Sequence, residues 1–123
     1  MDITLENPDA HHYVRRYQPG KITLNSGEHE CSVIIHGDMV NAEWTPQSFE
    51  HLDEKAFEPL LERKPGIILL GTGAEQQFPD MALLAPFMRH NIGVDIMSTE
   101  AACRTYNILA SEGRDVLAAL LIK

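Results

Sequence analysis

The chain has 123 residues, of which 44% are hydrophobic and 23% are charged, which predicts one globular domain over residues 1–123 with a buried core. Its formal net charge of -8 repels phosphate backbones and argues against nucleic-acid binding. No apolar run approaches the roughly 20 residues that a membrane helix needs, so membrane insertion is not expected. Two cysteines, Cys31 and Cys103, lie far apart without metal-type spacing, which favours a reducing cytoplasm over a disulfide framework.

The polar beginning of the chain lacks the basic start and apolar core of a secretory signal. Residues 1–16 are therefore predicted to form a flexible N-terminal arm. The adjacent His11 and His12 would point in different directions on a strand or a helix, so they do not predict a metal site.

Alternating apolar residues and turn signals predict an antiparallel meander over the next part of the chain, up to about residue 45. Pro19-Gly20 suits a tight turn that leads into Ile22 and Leu24. The β-prone run Cys31–Ile35 follows, and Val40, Ala42 and Trp44 then alternate with polar residues. Trp44, Phe49 and Phe78 are candidates for exposed aromatic side chains, and a place in the core is the alternative for each of them.

A helical segment is predicted from Phe49 to Leu61, although Pro59 interrupts its periodicity. The proline predicts either two short pieces or one helix that begins late enough to place Pro59 in its first turn. The acidic residues of this segment are interpreted as a solvated face and not as paired catalytic carboxylates.

The second half of the sequence predicts five elements in the order strand, helix, strand, helix, strand. Ile67–Leu70 is a run of apolar residues that ends at Gly71-Thr72-Gly73, as expected of a central strand followed by a tight turn. Asp80 is predicted to cap a helix that contains Pro86, and Val94–Met97 forms the next strand. Ser98 or Thr99 caps a further helix that stops at Gly113. Its apolar stripe is predicted to leave Asn107 on the opposite face and consists of Ala101, Ala102, Thr105, Ile108 and Leu109. Residues 116–122 form a last buried strand, so helices are expected to cover a mostly parallel sheet.

The candidate binding site follows from this topology. Ligands of open α/β sheets bind beyond the carboxyl ends of the strands, and helix N-termini attract anions. Gly71, Thr72 and Gly73, together with Ser98 and Thr99, are therefore candidates to bind a phosphate or carboxylate. The alternative is that both loops are simply tight turns around a packed sheet. Arg114 and Asn107 complete the candidate set, and for each of them a structural role is the alternative.

No catalytic constellation emerges from the sequence. The Gly-Thr-Gly turn is not a dinucleotide or P-loop fingerprint. The hydroxyl and thiol side chains lack the local signature of a nucleophile, and the six histidines show no zinc-protease spacing. No cofactor and no metal are expected, and the balance favours a protein without enzyme activity.

Several segments together resemble the Mth938-domain family, once catalogued as a domain of unknown function. They are Ile67–Gly73, Gly93–Met97 and Ser98–Ala101, followed by Thr105–Leu109 and Glu112–Val116. The resemblance implies a three-layer α/β fold, with a central mixed sheet, flanking helices and a small antiparallel β portion from the N-terminal half. No enzyme activity is established for that family. Mitochondrial members act as assembly factors for respiratory complex I, and this chain looks more like the bacterial members.

Two functional hypotheses follow. The first is a cytoplasmic, non-enzymatic protein that binds a protein partner, as an assembly factor does, and an exposed apolar patch would support it. The second is a protein or enzyme that binds a small anionic metabolite at the Gly71–Gly73 and Ser98–Thr99 loops. The sequence leaves the oligomeric state open.

Overall fold

The structure is a computed structural model that describes residues 12–123. A small antiparallel sheet comes first along the chain. Its strands are β1 (Val14–Gln18), β2 (Lys21–Leu24) and β3 (Gly27–His29), in the order β1-β2-β3. Gly20, at a φ of 91°, makes the tight turn between β1 and β2. This sheet is the small antiparallel portion that the sequence predicts.

The main sheet has five strands in the order β5-β4-β8-β6-β7. β6 pairs in parallel with both β7 and β8, whereas β4 pairs antiparallel with β5 and β8, so the sheet is mixed. Its strands are β4 (Val33–His36), β5 (Met39–Asn41), β6 (Ile67–Gly71), β7 (Gly93–Met97) and β8 (Val116–Leu120).

The three α-helices of the described chain are α1 (Glu54–Arg63), α2 (Met81–Arg89) and α3 (Thr99–Ser111). Each begins at a polar cap, and the sequence predicts the caps of α2 and α3. The side chains of Asp53, Asp80 and Ser98 accept hydrogen bonds from amides in the first turn of their helices. Gly113 follows the end of α3 with a φ of 78°, as the predicted helix stop requires.

Two apolar cores lie on opposite faces of the main sheet, because successive residues of each strand point to opposite sides. Val116 and Ala118 face the core beneath α3 and the small sheet, whereas Leu117 and Ala119 face the core beneath α1 and α2. The two covering layers and the sheet between them make the three-layer α/β arrangement, which confirms the predicted fold class.

The predicted meander is divided between the two sheets. β1, β2 and β3 form the small sheet, but β4 pairs with β8 in the main sheet. The last predicted strand is also shorter, because the side chain of Asn41 accepts a hydrogen bond from the Glu43 amide and turns the chain at the end of β5.

The predicted arm over residues 1–16 needs correction at its end. Val14 begins β1 and is fully buried in the core beneath α3, so this part of the chain packs and does not extend into solvent. Residues 1–11, including His11, lie outside the described residues.

Of the two alternatives for the segment around Pro59, the two-piece prediction is correct. A short 3-10 helix spans Phe49–His51, and α1 begins separately at Glu54. Pro59 therefore lies in the second turn of α1 and not in its first.

The predicted orientation of α3 is only partly correct, since Ala102 of the expected stripe is buried and Leu109 packs against the core. Ile108, which the sequence places on the buried stripe, is exposed, and Asn107, predicted to lie opposite that stripe, is buried. The face of α3 that packs against the sheet consists of Thr99, Ala102, Cys103, Tyr106 and Asn107.

Candidate functional site

The two loops of the predicted anion site lie together in the structure, at the carboxyl ends of β6 and β7. The Thr99 amide donates to the Gly73 carbonyl oxygen at 2.8 Å, and the Gly73 amide donates to Thr99 Oγ1 at 2.8 Å. Thr99 Oγ1 in turn donates to the Leu121 carbonyl oxygen at 2.7 Å. Gly73 and Thr99 thus bind each other and the chain that follows β8.

Thr72 closes the loop after β6. Its Oγ1 donates to the Glu75 carbonyl oxygen at 2.6 Å and accepts from the Gln77 amide at 3.1 Å. Its own amide donates to the Met97 carbonyl oxygen at 2.9 Å, and the residue is buried. A threonine hydroxyl that bonds nearby backbone groups stabilises a turn in this way.

Both glycines of this loop allow the chain itself to approach closely. A Cβ at Gly73 would lie 2.2 Å from the Lys123 carbonyl oxygen, and its φ is 101°. A Cβ at Gly71 would lie 2.9 Å from the Thr99 Cα atom. The groups that approach these glycines closely are therefore α3 and the end of the chain.

The donors of the predicted anion site are engaged within the protein. The amides of Gly73 and Thr99 bond as described, and Ser98 Oγ accepts from the Ala101 amide at 3.2 Å as the cap of α3. The two amides and the Ser98 hydroxyl therefore already have partners within the chain.

A groove of about 320 Å³ lies beside Thr72. Its lining includes Lys123, Glu50 and Glu75. Hydrogen bonds from the Glu50 backbone amide and from Ser48 lower the pKa of the Glu50 carboxyl, so Glu50 is charged at neutral pH. The cation therefore shares the groove with carboxylates.

Asn107 and Arg114 are not brought to these loops. Asn107 is buried on α3, where its carboxamide accepts from the Val14 amide and donates to the Val14 carbonyl oxygen, each at 2.9 Å. Arg114 is exposed before β8, at the amino ends of the parallel strands and so at the opposite end of the sheet. The candidate residues are thus divided between three places.

A second polar cluster, which the sequence does not indicate, lies at that opposite end. Arg63 Nε donates to His36 Nδ1 at 2.9 Å, which leaves His36 Nε2 to donate to Asp115 Oδ1 at 2.7 Å. Asp115 Oδ2 accepts from the Gly66 amide at 3.0 Å. The cluster joins the ends of β4 and α1 to the start of β8, and its members are too far apart in sequence to form a motif.

The exposed apolar side chains differ from those predicted. Trp44 is buried, with its Nε1 donating to the Ala56 carbonyl oxygen at 2.8 Å, and Phe49 is half-buried. Phe78 is exposed, as expected. The large apolar side chains that are most exposed among the described residues are Phe78 (68%), Met81 (65%), Met88 (63%) and Ile108 (58%).

Two of these side chains share one face of α2, since Met81 and Met88 are two helical turns apart. Phe78 precedes the same helix. On another side of α2, a groove of about 150 Å³ separates it from α1, where Phe57 and Phe87 meet edge to face at 5.8 Å. α2 thus presents apolar groups both to solvent and to the groove.

Residues 12–123 contain no group of three or more His, Cys, Asp or Glu side chains placed to hold a metal ion. No helix within that range is long and apolar enough to cross a membrane.

A protein-family model matches most of the chain. A family model described as a protein of unknown function (DUF498/DUF598) matches residues 14–121. The 13 kDa major membrane protein of Francisella tularensis is 29% identical over 118 residues, which are 94% of this chain and 95% of that protein. Assembly factor 3 of the NADH dehydrogenase (ubiquinone) 1 alpha subcomplex of Drosophila melanogaster is 35% identical over 82 residues. That match covers 63% of this chain but only 42% of the assembly factor.

Solved structures share the fold. The NMR structure of a Xanthomonas campestris protein has a TM-score of 0.82 and 35% identity, and the match covers 99% of this chain and 92% of that one. A Bordetella pertussis protein described as an Mth938-like domain has a TM-score of 0.78 and 25% identity, and the match covers 99% of this chain and 92% of that one. The resemblance drawn from the sequence is confirmed.

Proposed function

Because the chain belongs to the DUF498/DUF598 family, as its likeness to Mth938-domain proteins predicted, we propose that it is a non-enzymatic protein that binds a protein partner through α2. The proposal assigns the chain an assembly role. The observation that carries it is the concentration of exposed apolar side chains at one helix. Phe78, Met81 and Met88 belong to α2 or precede it closely, and each is more than half exposed.

Exposed apolar groups gathered in one place commonly mark interaction sites, whereas single exposed side chains are ordinary. Methionine is common on surfaces that bind partners, because its flexible, polarisable side chain adapts to the surface opposite. The relatives named as assembly factors support the same reading, since assembly is protein binding by definition. The chain spans less than half of the length of the Drosophila factor. That this chain itself binds a protein partner is therefore a proposal.

The proposed location is the bacterial cytoplasm. Cys31 and Cys103 are both free, as is usual for proteins of a reducing compartment. A relative from Francisella tularensis carries the name of a membrane protein, so fractionation of cells that produce the tagged chain tests the location directly. Recovery in the membrane fraction after a salt wash would contradict it.

Affinity capture with matched variants tests the protein-binding function. Tagged wild type would be compared with Met81→Gln/Met88→Gln, and bound proteins would be quantified by mass spectrometry. Ile108→Gln is the control, because Ile108 is equally apolar and exposed but lies on α3, in the other covering layer. We expect a near-stoichiometric partner that the α2 variant loses and the control retains. A partner that both variants retain, or no partner at all, would refute the proposal.

A second candidate function is the binding of a small anionic metabolite at the groove beside Thr72. The Lys123 side chain there supports it, because this groove lies at the end of the sheet where α/β proteins bind ligands. Calorimetry with inorganic phosphate and citrate, against wild type and Lys123→Ala, is the test. Absence of heat at millimolar ligand would exclude even millimolar affinity, which corresponds to a binding free energy of only about 4 kcal/mol.

A further inference from the structure

The groove between α1 and α2 has an apolar floor. It is lined by Phe57 and Leu61 from α1 and by Leu83, Pro86 and Phe87 from α2. A cavity of roughly 150 Å³ with apolar walls accommodates a benzene-sized group, and this groove has a volume of about 150 Å³. It therefore has room for about one large apolar side chain of a partner.

The wall that α1 contributes is acidic. Glu54 and Glu58 line the groove, and no Lys, Arg or His does. Glu62 continues the same stripe one turn further along α1. Among residues 12–123, none of these carboxylates has an ion-pair partner. Glu54 lies in the first turn of α1, where its charge interacts favourably with the helix dipole. Glu58 and Glu62 lie beyond the first turn and do not have this interaction.

From this combination we infer that the groove binds an amphipathic segment of a partner protein, with an apolar anchor flanked by Lys or Arg. The inference rests on the proposed function and specifies the chemistry of the partner. The anchor enters the floor between Leu61 and Leu83. The flanking cations lie against Glu54 and Glu58, which removes the repulsion between carboxylates one turn apart. Binding of an amphipathic helix in an apolar groove is a recurring mode of peptide recognition.

A lipid surface is the other occupant with an apolar face, and the charges disfavour it. Bacterial and cytoplasmic membrane surfaces are commonly anionic and attract basic segments. An anionic membrane would repel the carboxylates of Glu54 and Glu58, and it would also repel the whole chain, whose net charge is -8. A cationic peptide is attracted by the same groups.

Selection from a random peptide library on the 123-residue chain tests the inference. The peptides that wild type enriches should contain apolar residues three or four apart with Lys or Arg beside them. Glu54→Lys/Glu58→Lys should instead enrich peptides with Asp or Glu. Glu30→Lys/Glu112→Lys is the matched control, because it changes the net charge equally at exposed positions outside the groove.

Affinity measurements on the most enriched peptide give the magnitude. Glu54→Gln/Glu58→Gln should weaken its binding roughly three- to tenfold, as expected for loss of two solvent-exposed ion pairs. The loss should shrink at high salt. Thermal melting of each variant confirms that it is folded.

Three results of the peptide and vesicle experiments would overturn the inference. They are enrichment of acidic or uncharged peptides on wild type, unchanged enrichment on the charge-reversed variant, and binding to phosphatidylglycerol vesicles in place of peptides. If lysate capture depends on Met81 and Met88 but not on Glu54 and Glu58, the inference fails and the proposed function stands. If capture recovers no partner, the proposed function fails as well.

Discussion

Asn107 and Val14 are joined by a pair of hydrogen bonds across 93 residues of sequence. The carboxamide accepts from the Val14 amide and donates to its carbonyl oxygen, which is how one strand pairs with the next in an antiparallel sheet. β1 is an edge strand of the small sheet, so a side chain of α3 satisfies backbone groups that another strand would otherwise pair with. This pair attaches the small sheet to α3.

Replacement of Asn107 by Ala should therefore destabilise the fold. Both backbone groups of Val14 would remain buried without partners, which costs about 2–4 kcal/mol in the free energy of unfolding. Urea titration followed by circular dichroism measures it. Arg104→Ala is the control on the same helix, because Arg104 pairs with Glu100 at the surface and should cost less than about 0.5 kcal/mol. Similar losses for the two variants would show that the Val14 pair contributes little.

The two glycines Gly73 and Gly113 should respond differently to substitution by Ala. Both have positive φ, but a Cβ at Gly73 meets the Lys123 carbonyl oxygen, whereas a Cβ at Gly113 has no atom within 4 Å. Gly113→Ala should cost about 1 kcal/mol from backbone strain alone. Gly73→Ala should cost about 2–4 kcal/mol, because overpacking is added to that strain. Equal midpoints in urea would contradict the observed packing at Gly73.

The two thiols should react at very different rates. Cys31 is exposed, whereas Cys103 is fully buried and burial raises the pKa of its thiol well above its usual range. A chromogenic disulfide reagent should therefore modify one thiol in the native protein and both in denaturant. Cys31→Ser should show no fast reaction. Rapid modification of Cys103 in that variant would indicate that α3 separates readily from the sheet.

Alkaline pH should destabilise the protein through Tyr106. Burial raises the pKa of the Tyr106 phenol to about 12, above the value near 10 of an unfolded tyrosine. The unfolded state then releases its proton first, so stability is complete below about pH 10 and falls by up to about 2–3 kcal/mol towards pH 12. Burial also raises the pKa of Tyr17, which acts in the same direction.

Tyr106→Phe provides the control for the pH effect. The variant loses the hydrogen bond from the hydroxyl to the His12 carbonyl oxygen, so its stability at neutral pH should be somewhat lower. Its stability should nevertheless fall less steeply than that of wild type between about pH 10 and 12. Parallel curves for the two proteins would assign the alkaline loss to other groups.

Local signals in the sequence predicted most elements correctly. Asp80 and Ser98 cap helices and Gly113 ends one, because each acts on backbone groups only a few residues away. The apolar run of β6 and the position of the Gly71–Gly73 turn follow from the same kind of signal. The sequence also indicated that the loops at Gly73 and Thr99 would meet, since parallel strands end at one edge of the sheet.

Distant interactions decided what the sequence could not predict. Asn107 is buried because β1 offers it two backbone partners, and this changed part of the apolar stripe expected for α3. The Gly73 and Thr99 amides are engaged because the two loops bond each other, and Thr99 Oγ1 also donates to the Leu121 carbonyl oxygen, which follows β8. In α2 apolar residues occur on every side, so periodicity did not distinguish Met81 and Met88 from the buried Leu84 and Phe87.

The position of β8 affects the order in which the protein can fold during translation. β8 lies at the middle of the main sheet and is the last strand in chain order, with Val33 of β4 opposite its Leu120. A nascent chain that has emerged through β7 therefore carries two half-sheets with unpaired edges and no strand to join them. Such edges recruit other chains, and contacts this distant in sequence form slowly. Chaperones that bind extended apolar segments would have most effect on this chain just before β8 leaves the ribosome.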